Sequence, residues 1–481
     1  MVSSPASRPW WRSPGPLLLL LLHAGLFLGA YQLRFDRTAW QRLEQQLPAQ
    51  PTVAQWYHAL VDTHGFAGLA VWFFDTHGEV RLYHRYASVA VHGVDPKLPA
   101  DAPGQGTFRI YREVRPEYQP GAILVMAVPA LIARSENDYT TAYTAWAGGL
   151  YLATALLGMG VLAGSERISP ALATRTLIWS LLFVLAFGSI AASRFDVVVP
   201  LTIVTALALL QRGLRGGAAG WLVASGAVVA LGVMTKIVPG LLLAAALLWL
   251  VTVGGRQHWR AAVLLAFGCG ATLVILHLGF QAWFGDGYLA SYTYHVQRAL
   301  QIESTYAGVL MALPAAGEPL AHALRFGAIE LQHPAAAACA RLAPFIFLAA
   351  AALLALAYAW RNRRRDATDR DLSILLLTIV LLLVFMLTNK VFSPQYLLWV
   401  TPLAAVAAGA RPRLGFVAAA LLIPTICTQV LFPYLYDFLT SFHPAMVALL
   451  NARNLLLLVI AGWWFWHLPP AREGKPSHAE R

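Results

Sequence analysis

Residues 141–163 read TAYTAWAGGLYLATALLGMGVLA and contain no charged side chain. About 20 such residues in a helix cross the hydrocarbon core of a bilayer, so this segment predicts a transmembrane helix. Comparable runs recur along the 481 residues, of which 58% are hydrophobic and only 12% are charged. A soluble fold does not need so many apolar runs of that length. The composition therefore predicts an all-α polytopic membrane protein.

About twelve apolar segments are predicted to cross the membrane. They lie near 17–30, 141–163, 175–191, 195–211, 217–234, 237–253, 260–280, 342–359, 372–388, 394–410, 413–432 and 446–466. Another apolar run, near 122–133, is short and is predicted to be an interfacial helix. The basic start and short apolar core of the first segment also fit a cleaved signal peptide, although we favour a retained span.

The basic residues set the orientation of the predicted spans. With a cytoplasmic N-terminus and twelve spans, every inner loop carries arginine, as the positive-inside rule requires. This distribution accounts for the formal net charge of +12 without a nucleic-acid partner. Most of the 23 acidic residues fall on the opposite face. An outward-facing site is therefore expected, with both termini in the cytoplasm.

This topology divides the chain into six regions. They are a tail and first transmembrane helix (1–31), an outer catalytic loop with the interfacial helix (32–140), transmembrane helices 2–7 (141–280), a second outer loop (281–341), helices 8–12 (342–466) and a cytoplasmic tail (467–481).

The first outer loop concentrates polar chemistry in two stretches. Residues 75–86 read DTHGEVRLYHRY and residues 109–120 read RIYREVRPEYQP. A carboxylate can act as a general base, and cations can stabilise the charge of a phosphate. Glu79 is the first candidate for the base, since the positive charge of its neighbours Arg81 and Arg85 favours its ionised form. Asp75 is the alternative base, and the two acids share a face if the segment is helical.

Four places resemble the GT-C superfamily of membrane glycosyltransferases, and within it glycosyltransferase family 87, whose members are similar to polyprenol-phosphate-mannose-dependent mannosyltransferases. The similar residues are EVRLY at 79–83 with Tyr86 and Ala87, EYQPG at 117–121, Arg194-Phe195-Asp196 with Thr235-Lys236 and Pro239, and the outer-loop residues Tyr294-His295, Arg298, 301–304 and 389–396. In this family the acid at the position of Glu79 is usually aspartate.

The resemblance implies an inverting transferase of the bacterial inner membrane, with its site on the outer, periplasmic side. It would move a hexose, as a mannosyltransferase does, from a polyprenyl-phosphate-sugar donor to a lipid or glycan acceptor among membrane lipids. No metal or cofactor is expected, because the sequence has no metal-spaced His/Cys cluster and no Gly-rich phosphate loop. The candidate residues for binding the donor phosphate or sugar are Arg81, Arg85, Arg109, Arg112, Glu117, Asp196, Lys236, His295, Arg298, Glu303, Lys390 and Gln395.

Simpler interpretations stay open for several candidates. The charge run at 109–117 also fits a solvated surface, Lys236 also fits a lysine that snorkels to the interface, and 293–305 also fits a mixed amphipathic helix. A transporter or flippase for lipid-linked sugars, or a polysaccharide polymerase or ligase, is the alternative function. Against transport, the polar residues gather on one face and no half-length repeat is present.

Overall fold

The structure is a computed structural model. It describes residues 9–32, 52, 54–55, 58, 61, 73–75, 77–164, 166–252, 258–313, 319–362 and 370–466. Within these ranges the chain is mostly helical, so the predicted all-α polytopic membrane fold is confirmed.

The helices that precede the second outer loop are numbered in chain order. They are α1 Pro14–Leu28, α2 His77–His92, α3 Pro120–Ala130, α4 Glu136–Ala163, α5 Pro170–Phe187, α6 Ile190–Ser193, α7 Val198–Gly216, α8 Ala219–Thr235, α9 Gly240–Thr252 and α10 Trp259–Phe284.

The remaining elements begin in the second outer loop. They are α11 Ala290–Gln297, α12 Thr305–Ala312, β1 Ala321–Arg325, β2 Ala328–Gln332, α13 Pro334–Asn362, α14 Arg370–Thr388, α15 Thr401–Ala410, α16 Gly415–Gln429, α17 Tyr436–Thr440 and α18 Pro444–Trp466.

Nine helical segments among the described residues are long and apolar enough to cross a membrane, and they coincide with nine of the predicted spans. Helices α8 and α9 are shorter apolar helices at the places of two more. The remaining predicted span, near 394–410, contains α15 and a preceding 3-10 turn, Pro394–Trp399. Helix α3 is also short, as expected of the segment predicted to lie in the interface.

Helices α8 and α10 approach each other closely because both carry glycine at the contact. A Cβ on Gly226 of α8 would lie 2.1 Å from the backbone oxygen of Leu265, and a Cβ on Gly268 of α10 would lie 2.2 Å from that of Val223. Small residues allow helix backbones to meet in a bilayer, where lipid offers no hydrophobic drive for association. Helix α7 packs on the same α8, so these three helices form one side of the bundle.

Helices α13 and α14 are both apolar but occupy different places. Fourteen of the side chains of α14, from Leu372 to Leu387, are buried inside the protein. Helix α13 buries only a few side chains and exposes large ones such as Phe345 and Leu353. Helix α14 is therefore central, whereas α13 is peripheral.

A hairpin of two antiparallel strands, β1 and β2, interrupts the second outer loop and was not predicted. Arg325 pairs with Ala328, which leaves Phe326 and Gly327 as a two-residue turn. Both turn residues have positive φ (50° and 65°), as tight hairpins of this kind require. The hairpin matters because residues of β2 hold the segment that follows α11.

Candidate active site

The non-helical segment 298–304 is fixed between two neighbours. On one side, the amide of Gln301 donates to the carbonyl of Lys390 (3.0 Å). On the other side, the amide of Ile302 donates to the carbonyl of Ile329 (3.0 Å), and the amide of Leu331 donates to the carbonyl of Leu300 (2.8 Å). Helix α11 ends at Gln297, so the alternative of a single amphipathic helix over 293–305 is wrong. Backbone pairing holds this segment rigidly.

Arg298 begins this segment and is 8% exposed. Its Nε lies 3.9 Å from Oε1 of Glu330 on β2, beyond hydrogen-bond distance. That oxygen instead accepts from the amide of Ala299 (2.9 Å). Neither Nε nor Nη2 of Arg298 has a hydrogen-bond partner in the described part of the chain. The N–H groups of these two nitrogens match the oxygens of a carboxylate or phosphate in geometry and charge.

Lys390 holds the backbone at Arg298. Its Nζ donates to the carbonyls of Val296 (2.9 Å) and Arg298 (2.6 Å) at the end of α11. Burial and the nearby charge of Arg298 lower the pKa of Lys390. The charge of Glu330 opposes this shift. His295, exposed on the last turn of α11, lies within electrostatic range of Lys390, Arg298 and Lys236. The second outer loop and the 389–396 turn therefore gather cations around one point.

Asp196 and Lys236 form a buried ion pair. Asp196 is fully buried in the turn before α7, and its Oδ1 accepts from Lys236 Nζ (2.5 Å) and Trp399 Nε1 (2.7 Å). The ammonium lies 5.0 to 5.2 Å from the ring centres of Phe195, Tyr396 and Trp399. Because the Lys236 side chain is only 17% exposed, the snorkelling interpretation is wrong. The pair joins α7, α8 and the 394–399 turn.

Glu303 lies at the far end of the segment and is 1% exposed. Burial raises the pKa of its carboxyl to about 7, with Arg453 of α18 opposing this shift. Arg453 Nη2 also donates to the Glu303 carbonyl (2.9 Å). Gln395 lies in the neighbouring turn, and its buried Oε1 has no hydrogen-bond partner among the residues described.

Glu117 links the first outer loop to this region. Its Oε2 accepts from the hydroxyl of Tyr86 on α2 (2.7 Å). Both residues lie within electrostatic range of Tyr294 on α11. The structure thus brings together Glu117, Asp196, Lys236, His295, Arg298, Glu303, Lys390 and Gln395 from separate parts of the chain.

The cations of the first outer loop are engaged elsewhere or exposed. Arg85 makes a two-point contact with Asp95 (Nε–Oδ1 2.9 Å, Nη2–Oδ2 2.7 Å), and this contact lowers the pKa of the Asp95 carboxyl. Arg81 pairs with Glu136 at 2.9 Å on the surface. Arg109 and Arg112 are exposed. Of these arginines, Arg85 lies within electrostatic range of Glu117.

The two candidate bases differ in what the structure describes. Glu79 lies in the first turn of α2, and its side chain is outside the described residues. Asp75 is partly buried and lies within electrostatic range of Tyr434. Helix α2 begins at His77 and Asp75 is not helical, so the condition under which the two acids would share a helical face is not met. The choice of base stays a prediction.

Two site residues were missed from the sequence, Glu330 and Trp399. Glu330 is the one acid in AIELQ at 328–332, whose short length and β-branched residue fit the strand that holds it. Trp399 resembles an ordinary interfacial anchor in sequence, and only the fold shows that its indole N–H meets Asp196.

The chain is similar to one protein family and to two crystal structures. The model of glycosyltransferase family 87 matches residues 117–387, which is more than half of the chain. A crystal structure of ArnT from Cupriavidus metallidurans bound to undecaprenyl phosphate is similar at 15% identity, with a TM-score of 0.43 over 87% of this chain and 78% of that one. The apo structure of the same protein gives 17% identity, with a TM-score of 0.39 over 86% and 77%. No curated protein sequence matches the chain. By the family match, which spans the resemblance at 117–121, 194–239 and 294–304, the chain belongs to glycosyltransferase family 87.

Proposed function

We propose that this membrane glycosyltransferase transfers a hexose, with mannose as first candidate, from a polyprenyl-phosphate donor to a lipid or glycan hydroxyl. The reaction would invert the anomeric centre and occur on the outer face of the bacterial inner membrane. The observation that carries this proposal is Arg298, which is buried and has two N–H groups without a hydrogen-bond partner among the described residues. Membership of a glycosyltransferase family favours this reaction over the transporter alternative.

A buried guanidinium is costly unless anions and hydrogen bonds satisfy it. Glu330 supplies a nearby charge at 3.9 Å but no hydrogen bond to Nε. Phosphate oxygens match the fork of an arginine, so a sugar phosphate is a suitable ligand for Nε and Nη2. Burial raises the pKa of Glu330, whereas Arg298 opposes this shift.

The proposed reaction is a single displacement. The acceptor hydroxyl attacks the anomeric carbon, the bond from that carbon to the phosphate oxygen breaks, and a carboxylate removes the hydroxyl proton. Glu79 is the proposed base and Asp75 is the alternative. Arg298 would stabilise the charge that develops on the leaving polyprenyl phosphate, and Lys390 would keep Arg298 in place through the carbonyl of that residue.

The remaining candidates have supporting roles in this proposal. Lys236 and Asp196 would form one wall of the donor pocket, and His295 would lie at its rim. Glu117, Glu303 and Gln395 are proposed to contact sugar hydroxyls. Arg81, Arg85, Arg109 and Arg112 remain proposed phosphate contacts, with less support since the first two already have carboxylate partners.

The test is transfer of radiolabelled sugar from polyprenyl-phosphate-mannose and polyprenyl-phosphate-glucose to membrane lipid extract by purified protein. Wild type is compared with Glu79→Gln, Asp75→Asn and Arg298→Gln. We expect transfer from one donor, abolished by Glu79→Gln and by Arg298→Gln. If both acid variants work like wild type, the base assignment is wrong. If the wild type consumes neither donor, the proposed donor class is wrong.

A further inference from the structure

A groove with apolar walls runs between α5 and α16. Its volume is about 540 Å³, within the range of about 300–1,000 Å³ that is typical of ligand pockets. Its lining residues are Phe73, Leu182, Leu185, Ala186, Leu422, Ile426, Gln429, Val430 and Tyr434. Both helices are long and apolar enough to span the membrane, so the groove follows the direction of lipid chains.

The polar atoms of the lining lie at one end. Along α16 the lining proceeds from Leu422 through Ile426 to Gln429, and then to Tyr434. The Tyr434 hydroxyl donates its proton to the carbonyl of Phe73 (3.0 Å), so the amide Nε2 of Gln429 must be the donor to the phenol oxygen (2.6 Å). This assignment leaves Gln429 Oε1 as a hydrogen-bond acceptor.

That acceptor is buried and unused. Gln429 is 2% exposed, and its Oε1 has no hydrogen-bond partner among the described residues. Leaving a polar atom unsatisfied in an apolar setting is costly, and a hydrocarbon chain cannot relieve that cost. A ligand that supplies a donor at this end of the groove would relieve it.

The polar end adjoins the candidate active site. Phe432 lies two residues before Tyr434, and its ring centre is 5.7 Å from the guanidinium of Arg194. Arg194 is two residues before the buried Asp196. Asp75, the alternative base, lies within electrostatic range of Tyr434. A ligand headgroup at Gln429 would therefore lie close to the proposed reaction.

We infer that the groove binds the hydrocarbon chain of a hydroxyl-bearing lipid, the acceptor, whose headgroup hydroxyl donates to Gln429 Oε1. None of the lining residues is cationic, whereas the phosphate of the donor requires cations such as Arg298. A free acceptor atom, with Asp75 in electrostatic range of the adjoining Tyr434, suits a neutral hydroxyl. The inference rests on the proposed function in one respect, which is that this hydroxyl is the group that receives the sugar.

Photocrosslinking in phosphatidylcholine nanodiscs tests the site without any sugar donor. The probes are a diacylglycerol with a diazirine in one acyl chain, the same lipid with its hydroxyl methylated, and a diazirine-bearing polyprenyl phosphate. Labelled peptides are located by mass spectrometry in wild type, Gln429→Leu, Ile426→Trp and Ile423→Trp. Ile423 is the matched control, because it is 54% exposed one turn before Ile426 and does not line the groove.

We expect the diacylglycerol probe to label peptides of 182–186 and 422–430 in wild type and in Ile423→Trp. Ile426→Trp should lose this labelling by steric filling. Gln429→Leu should lower it about threefold to tenfold, the effect of one lost hydrogen bond, to the level of the methylated probe. Equal labelling by the hydroxyl and methylated probes, or stronger labelling by polyprenyl phosphate, would overturn the inference.

The two proposals fail separately. A wild type that transfers sugar while the groove is not labelled overturns the acceptor site and leaves the proposed reaction in place. Labelling as expected in a protein that transfers no sugar supports the lipid site and overturns the proposed reaction.

Discussion

Arg85 in the first outer loop and Arg298 in the second are both arginines beside acidic residues, yet their surroundings differ. Arg85 makes two short hydrogen bonds to the carboxylate of Asp95. Arg298 has its nearest carboxylate, Glu330, at 3.9 Å and two N–H groups without hydrogen bonds within the described residues. The first arginine is hydrogen-bonded to its acid, whereas the second has two nitrogens, Nε and Nη2, that no described residue satisfies.

The difference arises from how each partner is held. Asp95 lies in the loop three residues after α2, and its carboxylate reaches two nitrogens of Arg85 even though Oδ1 also accepts from the amide of Lys97 (3.1 Å). Glu330 sits in β2, where its Oε1 is already used by the amide of Ala299. A nearby acid therefore does not guarantee a neutralised arginine, and the geometry of the acid decides the outcome.

The largest expected effect is on catalysis at Arg298. Arg298→Gln should reduce the rate of sugar transfer by about 10²- to 10³-fold, because a charged donor to the developing phosphate is lost. Arg298→Lys should recover only part of this activity, since lysine lacks the planar fork. The readout is the initial rate with radiolabelled donor, with Arg260→Gln, an exposed arginine in the first turn of α10, as control. Near-normal activity in Arg298→Gln would remove the contrast with Arg85.

The next effect is on stability at the Asp196–Lys236 pair. Asp196→Asn leaves a buried ammonium without its carboxylate and should cost about 3–5 kcal/mol. The double variant Asp196→Asn/Lys236→Met should be more stable than Asp196→Asn alone, because no unpaired charge remains. Thermal unfolding in detergent measures both. If the double variant is no more stable than Asp196→Asn alone, the aromatic rings rather than the ion pair stabilise the Lys236 ammonium.

A smaller loss is expected at Arg85. Arg85→Gln leaves Asp95 without its strongest partner and should cost about 1–3 kcal/mol. The hydrogen bonds from Arg85 lower the folded-state pKa of Asp95 below 3.8, so this stability is present above pH 3.8 and is lost as the pH falls through the folded-state pKa. The free energies of unfolding of wild type and Arg85→Gln should therefore converge in acid. A difference that stays constant with pH would contradict the ion-pair account.

The smallest effect is expected at Arg81, whose side chain is 58% exposed and pairs with Glu136 at 2.9 Å. Exposed pairs contribute about 0–1 kcal/mol. A double-mutant cycle with Arg81→Gln and Glu136→Gln should give a coupling energy in this range, and it should fall further in high salt. A coupling above that range would show that α2 and α4 depend on this contact.

Much of the fold could be predicted because apolar run length is a direct readout of membrane crossing. Nine predicted spans recur as long apolar helices among the described residues, and the short run near 122–133 recurs as an 11-residue helix. The sequence could not show which of α13 and α14 is more deeply buried, since both contain a long apolar run. Lipid and protein interior are equally apolar, so hydrophobicity alone does not show which helix is central.

The site was less predictable than the fold. The motifs pointed to Asp196, Lys236 and Arg298, but composition gave no reason to prefer Arg298 over Arg81 or Arg85. The hairpin that places Glu330 beside Arg298 joins residues about 30 apart in sequence, and the indole of Trp399 meets Asp196 across about 200 residues. Contacts of this range leave no local pattern.

The sequence by itself determined that the chain is a helical membrane protein and which of its segments carry charge. Both properties are local, because solvent preference is set residue by residue over the length of one helix. Only the tertiary structure decided which charges are paired, which acceptor in the α16 groove is unused, and which arginine remains available to an anion. Hydrogen bonds and ion pairs depend on distances of a few ångströms between distant segments, and packing alone fixes those distances.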